Sequence, residues 1–225
     1  MYAVIFCLGV FRMTGEKERY PLLRVRTDRI EHNGRRLAAD CAAHGVSVWG
    51  VSKGISAFAE VARAFEAAGI DTIADSRVAN MRKMREAGVR AKFALIRIPM
   101  YSELAEAAEF CDYVLVSDAG VTAELARICE EKRKKIKAVV MFDMGDLREG
   151  YWFEDAAEAA RELAPCDGEF LSVVGVGANF SCASGVLPSE KNLTALVDCG
   201  RAFEAELGRK LEIYSGGDGQ CERYV

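Results

Sequence analysis

The sequence has few of the residue patterns that hold a metal ion. It contains two histidines, His32 and His44, and none of its eight cysteines forms a C-x-x-C pair. Structural zinc sites need Cys and His ligands at close spacings, so the common zinc sites are excluded and no metal is expected. Several cysteines lie in predicted apolar helix faces or strands. That position favours reduced, buried thiols in a cytoplasmic protein over disulfides.

An excess of basic residues is also lacking. The net charge is -4, which argues against a nucleic-acid partner. One basic run, KRKKIK at 132–137, follows two glutamates. We interpret it as the solvated end of a helix, where the helix dipole favours cations. A nucleic-acid patch is the less favoured alternative.

No apolar run is long enough to cross a membrane. The first eleven residues, MYAVIFCLGVF, are apolar, but a membrane span needs about 20 residues. The run also lacks the basic region that begins a signal peptide. We interpret residues 1–12 as an extension that is not native, with Met13 as the natural start, and expect no membrane partner.

Linkers rich in Pro, Gly and Ser are absent as well, so residues 13–218 are predicted to form one domain. Short strands alternate with longer helices, which is the pattern of a parallel α/β sheet, and seven repeats favour a TIM-type barrel. The tail 219–225 diverges and has no strand pattern, so the barrel is expected to lack its eighth strand. An accessory strand outside the barrel is predicted at residues 22–26 (LLRVR). The predicted barrel strands span residues 46–53, 72–75, 92–98, 113–117, 136–143, 169–177 and 211–214.

A lysine ends the first of these strands. Residues 46–54 read VSVWGVSKG, with Lys53 as their one charged residue. Burying an ammonium group without a partner is expensive. Lys53 is therefore either solvated just beyond the strand or active at the mouth of the barrel, where such folds place their chemistry.

Other polar or glycine residues follow the remaining predicted strands. A Ser-Gly-Gly turn can hold a phosphate through its backbone N–H groups. A lysine together with a phosphate site suggests a Schiff base to pyridoxal 5′-phosphate, in which the cofactor acts as an electron sink. The residues at these strand ends are Asp75, Arg97, Ser117, Asp143 with Arg148, Asn179, Ser215, Gly216 and Gly217.

Five segments resemble one protein family. On these segments the chain, over roughly residues 20–217, is similar to the alanine racemase N-terminal domain superfamily, pyridoxal-phosphate barrels of fold type III. Its nearest branch is that of the ornithine racemases and predicted amino-acid racemases. The resemblance implies a TIM barrel, pyridoxal phosphate as cofactor and a small amino acid as substrate, and it allows a homodimer. The segments are RVRTDRIEHN (24–33), GVSKG (50–54), DMGDLREG (143–150), GVGANFSCASGVLPSEKNL (175–193) and YSGGD (214–218).

The resemblance also implies roles for individual residues. Lys53 would form the internal aldimine with the cofactor and then serve as one of two proton-transfer bases. Arg148 matches the arginine near the cofactor's phenolic oxygen and the substrate carboxylate. Asn179 matches a position near the cofactor ring. The phosphate-binding loop is matched by Ser215, Gly216 and Gly217.

The same resemblance has a limit that keeps several functions open. In the family, the second base is a tyrosine of a C-terminal β-domain, contributed across a dimer. The similarity ends near Asp218, so we expect that domain to be missing. The first hypothesis is therefore an amino-acid racemase, either active or truncated and inactive. The alternative is a single-domain pyridoxal-phosphate carrier without racemase activity, which the short length favours. The long matches at 143–150 and 175–182 favour the racemase, and a remnant with no activity is the third possibility.

Overall fold

A parallel β-sheet covered by helices forms the molecule, which this computed structural model describes over residues 21–180 and 185–216. The predicted extension 1–12 and the predicted tail 219–225 lie outside the described residues, so both stay predictions. The strands are β1 (Trp49–Val51), β2 (Thr72–Asp75), β3 (Lys92–Leu95), β4 (Tyr113–Val116), β5 (Ile136–Asp143), β6 (Tyr151–Trp152), β7 (Leu171–Ala178) and β8 (Ile213–Gly216). The helices are α1 (Thr27–Ala42), α2 (Ala59–Ala67), α3 (Val78–Glu86), α4 (Leu104–Phe110), α5 (Ala119–Lys132), α6 (Ala156–Leu163) and α7 (Glu190–Leu207).

The strand order is that of a singly wound barrel. Strands β1, β2, β3, β4, β5, β7 and β8 lie side by side in that order, and every pairing is parallel. Among the described strands, the two-residue β6 pairs with β5 alone. Within residues 21–180 and 185–216 no strand joins β8 back to β1. The barrel therefore has seven described strands, because β6 is not one of them. The prediction of a TIM-type barrel lacking its eighth strand is confirmed for the described residues.

Strand β5 shows why the sheet is stable. Its residues alternate between two apolar clusters, as expected for a strand buried on both faces. Ala138, Val140 and Phe142 belong to the large core between the sheet and the helices. Val139 and Met141 belong to a smaller cluster on the inner face of the barrel. The inner cluster, completed by Leu115 and Val174, lies beneath the carboxyl ends of the strands.

One predicted element is wrong. Residues 22–26, predicted as a strand outside the barrel, form no strand but lead directly into α1. A strand needs a neighbouring strand to satisfy its backbone groups, and no described strand pairs with this segment. The alternating pattern of residues 22–26 therefore does not correspond to the buried and exposed faces of a sheet. Leu22 and Leu23 are both exposed.

Helix ends follow local residue chemistry more closely. Asp118 caps α5 through a hydrogen bond that its carboxylate accepts from the Val121 amide at 2.7 Å. Ser189 and Asn192 form a reciprocal capping box at the start of α7. Gly208 ends α7 with a φ of 65°, in the left-handed region that glycine adopts readily. Within the described part of the chain, no helix has the length and apolar composition required to cross a membrane.

Candidate functional site

The carboxyl edge of the sheet gathers the predicted site residues. The register pairs Val51 of β1 with Ala74 of β2 at one end of the sheet. At the other end it pairs Phe142 of β5 with Ala178 of β7, and Ala178 with Gly216 of β8. Because parallel strands end at the same edge, the segments that follow these strands share one rim.

Lys53 begins the turn that follows β1. The strand is shorter than predicted, and Lys53–Ile55 forms a single 3₁₀ turn immediately after Ser52. The lysine is half-buried. The sequence alternatives were a solvated lysine or one at the barrel mouth, and the structure places Lys53 at the carboxyl end of β1, on the rim.

A buried serine and a buried aspartate lie beside this turn. Ser52 and Asp75 are both 0% exposed, and the Ser52 hydroxyl donates to Asp75 Oδ2 at 2.7 Å. Asp75 Oδ1 accepts from the Arg77 amide at 3.0 Å and from Asn80 Nδ2 at 2.9 Å. Sequence reasoning noted Asp75 as a strand-end carboxylate but missed Ser52. The only available signal was a polar residue within an otherwise apolar strand.

The loop after β5 carries Arg148. Asp143 Oδ1 accepts from the amides of Gly145 at 2.8 Å and Leu147 at 3.0 Å, which folds the loop back on the end of the strand. The Arg148 side chain is 25% exposed, and its Nη2 lies 3.1 Å from Glu149 Oε1. This carboxylate offsets part of the guanidinium charge while leaving Arg148 on the rim of the sheet.

Asn179 presents a buried donor at the end of β7. Its Nδ2 is buried and has no hydrogen-bond partner among the described residues. A buried N–H without a partner costs about 1–3 kcal/mol, so a group that accepts from it would be stabilising there. This observation fits a bound ligand with acceptor atoms.

The expected phosphate loop differs in part from the structure. Ser215 and Gly216, predicted to lie in a turn, are the last two residues of β8, and Gly217 lies outside the described residues. A Cβ on Gly216 would come within 3.3 Å of the Phe180 ring, so the strand end packs closely against the segment after β7. Strand β8 has β7 as its one described neighbour, and the edge of a sheet is a place where backbone N–H groups can bind an anion.

Arg97, which follows β3 at the same edge of the sheet, is paired with a carboxylate. Its Nη2 donates to both carboxylate oxygens of Glu103, at 2.7 and 2.6 Å, and its Nε donates to the Ser76 carbonyl at 3.0 Å. With these partners it lines a cavity of about 460 Å³ at the starts of α3 and α4. Lys53, Arg148 and Asn179 do not line this cavity. In the described part of the chain, no group of three or more His, Cys, Asp or Glu is placed to hold a metal.

Comparison with known proteins gives consistent results. The family described as alanine racemase, N-terminal domain, matches residues 25–218. A lysine racemase of Thermotoga maritima is 38% identical over 202 residues, which is 88% of this chain and 55% of that protein. An ornithine racemase of Acetoanaerobium sticklandii is 28% identical over 200 residues, or 88% of this chain and 56% of that protein. The chain therefore spans about half the length of these curated relatives.

Solved structures show the same fold. The alanine racemase from D-cycloserine-producing Streptomyces lavendulae superposes with a TM-score of 0.72 at 24% identity, over 84% of this chain and 50% of that one. An alanine racemase of Clostridium difficile 630 in complex with cycloserine gives a TM-score of 0.68 at 18% identity, over 84% and 52% of the two chains. At these identities the likeness establishes the fold.

Proposed function

Since the chain belongs to the alanine racemase N-terminal domain family, we propose that it forms the pyridoxal-phosphate-binding barrel of an amino-acid racemase. The observation that carries the proposal is the shared position of Lys53, Arg148 and Asn179. They follow β1, β5 and β7 at the carboxyl edge of one parallel sheet. That edge is where α/β barrels bind substrates.

The residues of this rim suit a cofactor with an aldehyde, an aromatic ring and a phosphate. Lys53 would hold the cofactor through Nζ. Asn179 would lie near its ring, where the buried Nδ2 lacks an acceptor among the described residues. The phosphate would be held by Ser215 and Gly216 with Gly217. When bound to an amino acid, the cofactor delocalises the electron pair that remains after the α-proton is lost.

The protein supplies binding, orientation and proton transfer. Lys53 Nζ acts as one of two bases, taking the α-proton on one face of the substrate or returning it. Arg148 orients the substrate by its carboxylate, because a guanidinium presents several N–H donors in one plane. The inner cluster around Val139, Met141 and Val174 forms an apolar floor below the rim. An apolar floor limits water and strengthens the electrostatic contacts above it.

The substrate class is assigned from the curated relatives. Two of them are named lysine racemase and ornithine racemase. We therefore assign a diamino acid, lysine or ornithine, as the substrate of this barrel, with alanine as the comparison substrate.

Titration with pyridoxal phosphate tests the cofactor assignment. Wild type should develop the visible absorbance of lysine-linked cofactor, and Lys53→Ala should not. Lys132→Ala, at the exposed end of α5, is the matched control and should resemble wild type. Equal absorbance in wild type and Lys53→Ala, or none in wild type, would contradict the proposal.

Exchange of the substrate α-proton in deuterated water then tests the reaction. Exchange needs one base, so it reports on Lys53 directly. Lysine or ornithine should exchange faster than alanine with wild type and should not exchange measurably with Lys53→Ala. Cofactor binding without exchange of any of the three amino acids would contradict the racemase and support the carrier.

A further inference from the structure

We infer that Ser52, Asp75 and Asn80 are positioning residues that hold the turn carrying Lys53 in one conformation. The inference rests on the proposed role of Lys53 as the cofactor lysine. It adds a set of residues that do not touch the substrate but fix the backbone position of the lysine.

Ser52 anchors the turn from three sides. Its amide donates to the Ala74 carbonyl at 2.9 Å, and its hydroxyl donates to Asp75 at 2.7 Å. Its carbonyl accepts from the amides of Ile55 at 3.1 Å and Ala57 at 3.4 Å, on the far side of Lys53. The residue that precedes the lysine is thus tied both to β2 and to the residues that follow the lysine.

Asp75 connects this anchor to α3. Its two oxygens accept from the Ser52 hydroxyl, the Arg77 amide and Asn80 Nδ2, and the side chain is 0% exposed. A carboxyl group that is fully buried and occupied by three donors has no surface left for a substrate. Its contacts fix the ends of β1 and β2 relative to the start of α3, which is a positioning role.

The backbone after Lys53 is strained and therefore needs such support. Ser56 and Ala57 have φ values of 50° and 56°, which non-glycine residues rarely adopt. Residues in such regions are conformationally strained and persist only where the surroundings fix them. Ala57 is fully buried, and Lys83 Nζ donates to the Ser56 carbonyl at 3.3 Å. Lys53 therefore lies between the hydrogen-bonded Ser52 and the strained backbone at Ser56 and Ala57.

Competitive labelling of lysines tests the inference in the cofactor-free chain. A trace of acetic anhydride is added, and the labelling of Lys53 is compared by mass spectrometry with that of Lys210, whose side chain is 88% exposed. Loss of one hydrogen bond of ordinary strength changes a local equilibrium roughly 3- to 10-fold. Ser52→Ala should therefore change the Lys53-to-Lys210 ratio by roughly that factor.

The chain offers a matched control at the opposite end of the barrel. The Ser172 hydroxyl also donates to an aspartate, Asp167, at 3.4 Å, but near the start of β7. Ser172→Ala should leave the labelling ratio unchanged. An unchanged ratio in Ser52→Ala, or an equal change in both variants, would overturn the inference.

Variants of Asp75 and Asn80 separate positioning from general loss of packing. Asp75→Asn keeps the size and an oxygen acceptor, and the serine hydroxyl can accept as well as donate. The labelling ratio of Asp75→Asn should therefore equal that of wild type, whereas the ratio of Asp75→Ala should differ from it. Asn80→Ala, which removes only the outer donor, should shift the ratio in the same direction as Ser52→Ala. No rescue by Asp75→Asn would overturn the inference.

Pyridoxal-phosphate affinity completes the test. The dissociation constant should rise roughly 3- to 10-fold in Ser52→Ala and stay at the wild-type value in Ser172→Ala. A wild-type chain that binds no cofactor would contradict the proposed function, while the labelling ratio would still decide the positioning role. Cofactor affinity that is equal in wild type and Ser52→Ala would overturn the positioning role alone.

Discussion

Gly150 packs directly against the backbone of Asp143. A Cβ built on Gly150 would lie 2.5 Å from the Asp143 amide nitrogen, closer than real Cβ atoms approach. The φ of Gly150 is 152°, outside the range that other residues adopt readily. The loop that carries Arg148 is thus closed by contact between its last residue, Gly150, and the end of β5.

Gly150→Ala is therefore expected to be strongly destabilising. The added methyl group must move either the loop or the end of β5, and the free energy of unfolding should fall by about 2–4 kcal/mol. Urea unfolding of the two proteins measures this difference. Gly168→Ala is the control, because a Cβ there meets nothing within 4 Å. Equal losses in the two variants would contradict the close contact.

The carboxylate of Asp143 gives a second prediction for the same loop. Asp143→Ala removes the acceptor for the Gly145 and Leu147 amides, and stability should fall by about 1–2 kcal/mol. Hydrogen exchange of those two amides should accelerate in Asp143→Ala. Asp143→Asn keeps one oxygen acceptor and should leave most of their protection. Equal exchange rates in Asp143→Ala and wild type would show that the carboxylate does not hold the loop.

Much of the fold could be predicted because local patterns determined it. Strands β2 and β5 have the predicted bounds, since each combines a clear apolar pattern with a residue that starts or stops it. The family resemblance read from five segments is confirmed by the family match to residues 25–218. Lys53 could be placed at a strand end for the same local reasons.

The remaining errors come from contacts between distant residues. Ser52 and Asp75 are separated by 23 positions, and no local pattern pairs them. The strand predicted at residues 22–26 failed because a strand depends on a partner elsewhere in the chain. Such pairings follow from tertiary packing, which one sequence does not display.

The Arg97 contact predicts a variant that leaves the site intact. Arg97→Ala breaks the pair with Glu103. The side chains of Arg97 and Glu103 are 36% and 29% exposed, so solvent screening limits the loss of stability to about 1 kcal/mol. Pyridoxal-phosphate affinity should equal that of wild type, in contrast to Lys53→Ala. A marked loss of affinity in Arg97→Ala would place this arginine in the cofactor site and contradict a role limited to the pair with Glu103.

Buried thiols give a prediction about reactivity. Burial raises the pKa of Cys111 and of Cys199 to about 12, and that of Cys129 to about 11. Alkylating reagents attack the thiolate, so these three cysteines should stay unlabelled at pH 8 in the folded protein and react fully in urea. Mass spectrometry of the cysteine peptides measures both states. Rapid labelling of Cys111 without urea would contradict its burial.

Glu204 should make the stability of the protein near its last described strand depend on pH. Its carboxylate accepts from Lys210 Nζ at 2.6 Å, from the Leu211 amide at 3.1 Å and from the Tyr214 hydroxyl at 3.2 Å. The Lys210 contact, followed by the Leu211 amide, lowers the pKa of Glu204 below its ordinary value of 4.5. These contacts tie α7 to the segment that enters β8.

The sign of the effect follows from that lowered pKa. At a pH near 4.5 the unfolded chain binds more protons at this glutamate than the folded chain does, so stability rises with pH. The contribution is present above pH 4.5 and is lost as the pH falls through the lower, folded pKa. Glu204→Gln should therefore weaken the fall in stability between neutral pH and the acid range. Glu130→Gln, on an exposed position of α5, controls for loss of a surface charge, and identical acid unfolding of Glu204→Gln and wild type would refute the role of Glu204.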